Sequence, residues 1–225
     1  MLDPSELRQF FPVIVTPSHD GKVFLNYVNS MLNFAVQAER AGMRLQVLTH
    51  QGESLVTRAR NNCVAQFLAN PQWTHLFWVD ADIGFSAQAA FRLLLSGYDV
   101  AAGVYPLKRE NWPEGSVAAG TTQQQFESTF TRYTVNAQAS ATTSRVELEV
   151  QPDGFMKMTE APTGFMVIRR RVFERLIASY PELRYVPDSI GEADLGLHYR
   201  FFDVMVDPQT RRYLFGEVEL PDQAL

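Results

Sequence analysis

Two carboxylates stand one residue apart, Asp80 and Asp82, directly after an unbroken apolar run, Leu76-Phe77-Trp78-Val79. Residues two apart on a strand face the same side, so this spacing predicts two carboxylates facing one cleft. Left empty, such a pair repels. A hard divalent cation such as Mn2+ or Mg2+ relieves the repulsion. It is usually held by one or two carboxylates and keeps its other positions for substrate phosphates. An ion so placed neutralises a diphosphate leaving group. The competing structural reading is an acidic strand end that caps a helix or faces water.

Few other side chains could meet a diphosphate. Helical spacing puts Arg58, Asn61 and Asn62 on the polar side of a predicted helix, with Arg60 turned elsewhere. From there Arg58 would reach a phosphate or ribose, and Asn62 a base; a solvated helix face is the alternative. Lys108, in a predicted loop after a proline, is either a point charge for the diphosphate or an ordinary surface lysine. Thr163 and Gly164 precede a predicted strand, and glycine there permits close approach of backbone to a ligand. His50, His75 and His198 stand singly, without ligand spacing, and read as structural. His198 is kept as a candidate third metal ligand. The single cysteine, Cys63, excludes an intrachain disulfide and a cysteine-based zinc site.

The elements that must hold these residues alternate between strand and helix. Phe10 to Val15 reads as a strand stopped by Thr16-Pro17-Ser18. Phe24, Val28, Met31, Leu32 and Ala35 recur at helical spacing, and Gly42 ends that helix. Met43, Leu45 and Val47 alternate as a second strand. Gly52-Glu53-Ser54 opens a second helix capped by Ser54, with Leu55, Ala59, Cys63 and Phe67 as its apolar stripe. A third strand from Thr74 to Val79 delivers the aspartates. A third helix covers Ala87 to Leu95, and a fourth strand follows Gly97 and runs to Gly103. Such alternation predicts βαβ units and a parallel sheet, with ligands outside the carboxyl ends of the strands. Residues 16–18, 49–51, 80–82 and 104–106 all fall at those ends.

Beyond Tyr105 the pattern changes. Residues 107–125 read as a loop. Phe130 to Val135 and Val146 to Val150 read as strands, and Pro152-Asp153-Gly154 as a turn, which predicts an antiparallel hairpin near residues 146–158. Phe165 to Ile168 reads as a strand and Arg169 to Ser179 as a helix. The fold expected is α/β: a mixed, mainly parallel sheet flanked by helices, with an antiparallel hairpin. Residues 1–225 are expected to form one domain, with a nucleotide-binding half at 10–105 and an acceptor-side half at 106–225.

The segment Thr74-His75-Leu76-Phe77-Trp78-Val79-Asp80-Ala81-Asp82-Ile83 resembles the Asp-x-Asp strand of GT-A glycosyltransferases, the Rossmann-like nucleotide-diphospho-sugar transferases. Val100 to Lys108, with its Gly-Val-Tyr-Pro-Leu-Lys string, resembles the next segment of a bacterial and viral family 2-like subgroup. Pro162 to Arg170 is similar to that subgroup's following motif. The resemblance spans residues 10–175. It implies a nucleotide-diphosphate-sugar donor and a divalent metal at Asp80 and Asp82, with Ala81 between them in the donor-binding loop. It implies that Thr16, Pro17 and Ser18 line the nucleoside pocket and that Gln51 contacts the base. Inverting members carry a late acidic pair, one carboxylate of which deprotonates the acceptor hydroxyl. The loose counterpart here is Tyr213-Leu214-Phe215-Gly216-Glu217-Val218-Glu219. Glu217 is the first candidate for the base, followed by Glu219 and Asp203. The family's usual acceptor-side helix and metal-binding histidine have no counterpart before Leu225, which leaves three readings open: a truncated chain, a minimal enzyme, or a donor-binding domain of a larger protein.

The chain is 46% hydrophobic and 20% charged, with a net charge of −5. No block of Lys or Arg offers a footprint for nucleic acid or for an anionic membrane. No apolar run approaches a membrane span, and Met1 to Glu6 lacks the start of a signal peptide, so a cytoplasmic location is expected. The activity expected is hexosyltransferase-like, passing a sugar to a glycan, lipid or protein acceptor. One alternative is a non-catalytic sugar-nucleotide-binding domain of a larger protein. A nucleotidyltransferase would show a Gly-rich basic loop where this chain has residues 16–20. A haloacid dehalogenase-type phosphatase would carry Thr or Val where this chain has Gly84.

Overall fold

The computed structural model describes residues 2–110, 115–134, 150–158, 161–187, 194–206, 209, 211 and 213–215. Its main sheet is built from β1 (Pro12–Pro17), β2 (Gln46–His50), β3 (His75–Val79), β4 (Val100–Ala102) and, after a separate pair of β5 (Pro106–Glu110) and β6 (Thr131–Tyr133), β7 (Phe165–Arg169). The order is β2-β1-β3-β7-β4. β1 is parallel to β2 and β3, whereas β7 is antiparallel to β3 and β4. Strand β7 therefore opposes its four companions. It inserts beside the strand that carries the aspartates.

Strand alternation divides the core in two. Ile14, Phe77, Val79, Phe165 and Val167 pack under α1 (Leu25–Arg40) and α3 (Ala87–Leu94). Val13, Val15, Leu76, Trp78, Met166 and Ile168 pack under α2 (Val56–Ala69) and α5 (Arg170–Ser179). Strand β3 is buried along its whole length, which is why it reads as a continuous apolar run. Arg170 at the start of α5 donates to the carbonyls of Phe67 at 2.8 Å and Trp73 at 2.8 Å. It thereby ties α5 to the end of α2 and to the turn beyond it, and sets a positive charge at the C-terminal end of that helix.

Several boundaries and faces depart from expectation. In α1 the buried residues are Tyr27, Met31, Phe34 and Ala38, whereas Phe24, Leu32 and Ala35 are exposed. The sequence holds two overlapping helical stripes. The sheet selects the one whose Phe34 meets Phe77, at 6.4 Å between rings, and whose Tyr27 hydroxyl meets that of Thr16 at 2.7 Å. Gly42 ends α1 as expected, at φ 71°. Its N–H bonds the Glu39 carbonyl and that of Met43 the Ala38 carbonyl, so both sit in a paired C-terminal cap. Met43 is consequently core, and β2 begins only at Gln46.

Helix α2 begins at Val56 without a side-chain cap, and Leu55 is exposed. Glu53, not Ser54, takes the local role, accepting from Leu55 N–H at 2.9 Å. The expected loop at 107–125 contains most of β5 and the start of α4 (Gln123–Phe130), which Thr122 and Gln125 cap reciprocally. Phe130 accordingly belongs to α4 and not to β6. The turn at Pro152–Gly154 is present, with an antiparallel bridge from Val150 to Met156; residues 146–149 lie outside the described residues. A further antiparallel pair joins β8 (Val204–Val206) to β9 (Tyr213–Phe215). No helix among the described residues is long and apolar enough to cross a membrane.

Candidate functional site

The loops after β1, β2, β3 and β4 meet at the carboxyl edge of the sheet, and backbone hydrogen bonds tie them together. Ser18 N–H bonds the His50 carbonyl at 2.9 Å, Gly52 N–H that of His19 at 3.2 Å, and Phe24 N–H that of Ala81 at 2.9 Å. Because β7 runs the opposite way, its leading residue Gly164 arrives at the same edge. The Gly164 carbonyl accepts from Asp80 N–H at 2.8 Å.

Asp80 follows the last residue of β3, and Asp82 lies in the turn beyond, closed by Ile83 N–H on the Asp80 carbonyl at 3.0 Å. The turn, not strand alternation, therefore sets the relation of the two carboxylates, which corrects the expectation from spacing. Each has its own cation. Arg60 Nη2 donates to Asp80 Oδ1 at 3.0 Å, and Lys108 Nζ bonds Asp82 Oδ2. The Arg60 side chain is 7% exposed and lies over Trp78, 4.6 Å from the ring. Its Nη1 is buried and has no hydrogen-bond partner among the described residues. The hydrogen bond to Asp82 holds the Lys108 ammonium above its ordinary pKa.

Gly164 and Tyr105 complete the constellation. Gly164 N–H donates to the Tyr105 hydroxyl at 3.2 Å. A Cβ on Gly164 would fall 2.7 Å from Asp80 Oδ2 and onto the Tyr105 hydroxyl. The expected close backbone approach is thus present, and its partners are these two side chains. Burial, then the charge of Asp80, raises the Tyr105 pKa, so the phenol keeps its proton at neutral pH.

Other expected residues lie differently. Arg60, which was expected to turn elsewhere, is the residue of α2 that meets Asp80. Arg58 is occupied by Glu53, with Nη2 to Oε1 at 2.9 Å. Asn61 and Asn62 are buried, not on a polar face. Asn61 clamps the backbone of Phe202 through two bonds of 2.9 Å, and Asn62 Oδ1 accepts from the Tyr185 hydroxyl at 3.2 Å. Thr16 is fully buried and spends its hydroxyl on Tyr27, so it ties β1 to α1 beneath the carboxyl edge and does not reach it. Pro17 and Ser18 are half-buried, with Ser18 Oγ donating to the Lys22 carbonyl. Gln51 is exposed and lies against Gly21, at the same edge. Ala81 is half-buried in the aspartate turn. His198 is buried 3.7 Å from Asp194, and among the described residues no three ligating side chains gather around a metal position. Asp203 pairs with Arg200 at 3.3 Å. Glu217 and Glu219 lie outside the described residues.

Arg60 and Tyr105 were missed. The signal for Arg60 was available, because residues 60, 64 and 67 lie on one helical face and Val64 and Phe67 are apolar. Tyr105 carried no signal beyond its place at a strand end. As for an ion, the donor set suits Mg2+ or Mn2+. Two half-buried carboxylates at one turn offer hard oxygens, and an ion so held completes its shell from phosphates and water.

No family model matches this chain, and no curated protein sequence matches it. Among solved structures, the crystal structure of A197 from STIV aligns over 94% of this chain and 97% of its own, at 16% identity and a TM-score of 0.43.

Proposed function

We propose that the chain binds a nucleotide-diphosphate sugar at the carboxyl edge of the sheet and acts as a metal-dependent glycosyltransferase of the GT-A type. The observation that carries this reading is the Asp80/Asp82 turn at the end of the central buried strand, flanked by Lys108, Arg60 and Tyr105. Support comes also from the loops of β1 and β2, tied together at that edge, where Pro17, Ser18 and Gln51 stand ready for a nucleoside.

Asp82 and Asp80 would hold Mn2+ or Mg2+, which supplies charge to a diphosphate leaving group. Lys108 adds a point charge for the same oxygens. Arg60 fixes the Asp80 carboxylate in one orientation. The Tyr105 hydroxyl, protonated at neutral pH, offers a donor beside Asp80. Glu217 is the proposed general base toward an acceptor hydroxyl.

The test is binding before chemistry. Calorimetry with UDP and GDP, with and without MnCl2, should detect Mn2+-dependent binding to the wild type and none to Asp82→Ala, whose melting temperature stays near that of the wild type. Equal Mn2+-dependent binding by both proteins would place the ion elsewhere. Sugar transfer or donor hydrolysis with Mn2+, reduced about a hundredfold or more in Glu217→Gln, then separates an enzyme from a binding domain.

A further inference from the structure

We propose that Lys108 is an exchangeable counter-ion. It holds Asp82 while no divalent ion is present and moves to the donor's diphosphate when ion and nucleotide bind together. The inference rests on the reading of this edge as a divalent-ion and diphosphate site.

The argument begins with charge. Asp80 and Asp82 carry two negative charges, and Arg60 and Lys108 carry two positive ones, so the cluster is balanced without an added ion. The two cations differ in their freedom to leave. Arg60 lies over Trp78 and beside Phe202, 4.6 and 6.0 Å from the ring centres, on a helix buried against the sheet. Moving it would open the core. Lys108 is 79% exposed. It stands on β5 between the two residues that pair with β6, Pro106 and Glu110, where the register shifts. Such irregular stretches re-aim side chains. Its ammonium lies 5.8 Å from the Phe24 ring, on a four-carbon stem with three rotatable donors.

Asp82 cannot give the same oxygens to an ammonium and to a divalent ion without bringing like charges together. An ion therefore competes with Lys108, and a displaced Lys108 needs another anion. The diphosphate of a donor is the anion that arrives at this edge. Ion and nucleotide then bind more tightly together than apart, and by linkage each strengthens the other equally. Removing Lys108 removes a competitor from one ligand and a contact from the other, so the two affinities must move in opposite directions.

The test is titration calorimetry on the full chain, wild type and Lys108→Gln, first with MnCl2 alone and then with UDP and GDP in saturating MnCl2. The variant should bind Mn2+ alone about two- to fivefold more tightly, the strength of an exposed ion pair. It should bind the nucleoside diphosphate about tenfold more weakly, the loss of one charged hydrogen bond. If Lys108→Gln binds Mn2+ no more tightly than the wild type, the exchange is overturned while the site stands. Weaker binding of both ligands would likewise overturn it and leave Lys108 a plain structural contact. If the wild type binds neither UDP nor GDP with MnCl2, the reading of the site falls, and the exchange with it.

Discussion

At Gly164 the backbone of β7's leading end meets the acidic turn directly. The glycine's missing side chain leaves room for Asp80 Oδ2 and the Tyr105 hydroxyl at once. A methyl group there must push a carboxylate, a phenol or β7 aside, and overpacking of this kind costs about 1–3 kcal/mol. Gly164→Ala should therefore lower the melting temperature and weaken Mn2+-dependent nucleotide binding together. A variant of wild-type stability and affinity would show that the close approach is dispensable. The sequence marked Gly164 as a place of close approach, but the groups that approach it come from residues 59 and 84 positions away.

At the scale of the element, α2 is the most informative. Its polar residues Arg60, Asn61 and Asn62 are buried, and each is spent on a distant segment: Asp80, Phe202 and Tyr185. Asn61 satisfies both the N–H and the carbonyl of Phe202, whose ring packs edge-on to Trp78 at 5.5 Å. Asn61→Ala leaves two buried backbone groups unpaired and should destabilise by roughly 2–3 kcal/mol. The amides around 198–202 should then exchange with solvent faster than those of β1 and β3, in hydrogen-exchange measurements on both proteins. Uniform acceleration across the sheet would refute a local clamp. Polar residue types led to a solvated face here, because a buried amide and a surface amide look alike until their partners are known.

At the scale of the whole molecule, the buried His75 predicts an acid sensitivity that comes from the core. His75, at the start of β3, is buried against Phe10, 4.7 Å between rings, and its Nε2 has no hydrogen-bond partner among the described residues. Burial, and then the charge of Arg169, pushes its pKa from 6.5 down to about 4. The folded protein thus binds fewer protons than the unfolded chain between those values. The stability this neutral histidine contributes is complete above pH 6.5 and is lost as pH falls toward 4, by up to about 3 kcal/mol. His75→Phe should flatten that part of the pH–stability curve, measured by denaturant unfolding at pH 7.5, 5.5 and 4.5. An unchanged slope would assign the acid sensitivity to the carboxylates.

The sequence by itself determined the alternation of strands and helices, the buried strand before Asp80, the gathering of residues 16–18, 49–51 and 80–82 at one edge of the sheet, and the ending of α1 at Gly42. These follow from local periods and from backbone conformations that few residues tolerate. Only the tertiary structure decided that β7 runs against its neighbours, that Tyr27 and Phe34 rather than Phe24 and Leu32 face the core, and that Arg60 rather than Arg58 meets Asp80. Those outcomes depend on which of two nearly equal helical stripes the sheet accepts and on which side chain finds an opposite charge across 20 residues of chain. Periodicity carries no record of either, because it describes a segment alone, and these choices are made by what the segment is packed against.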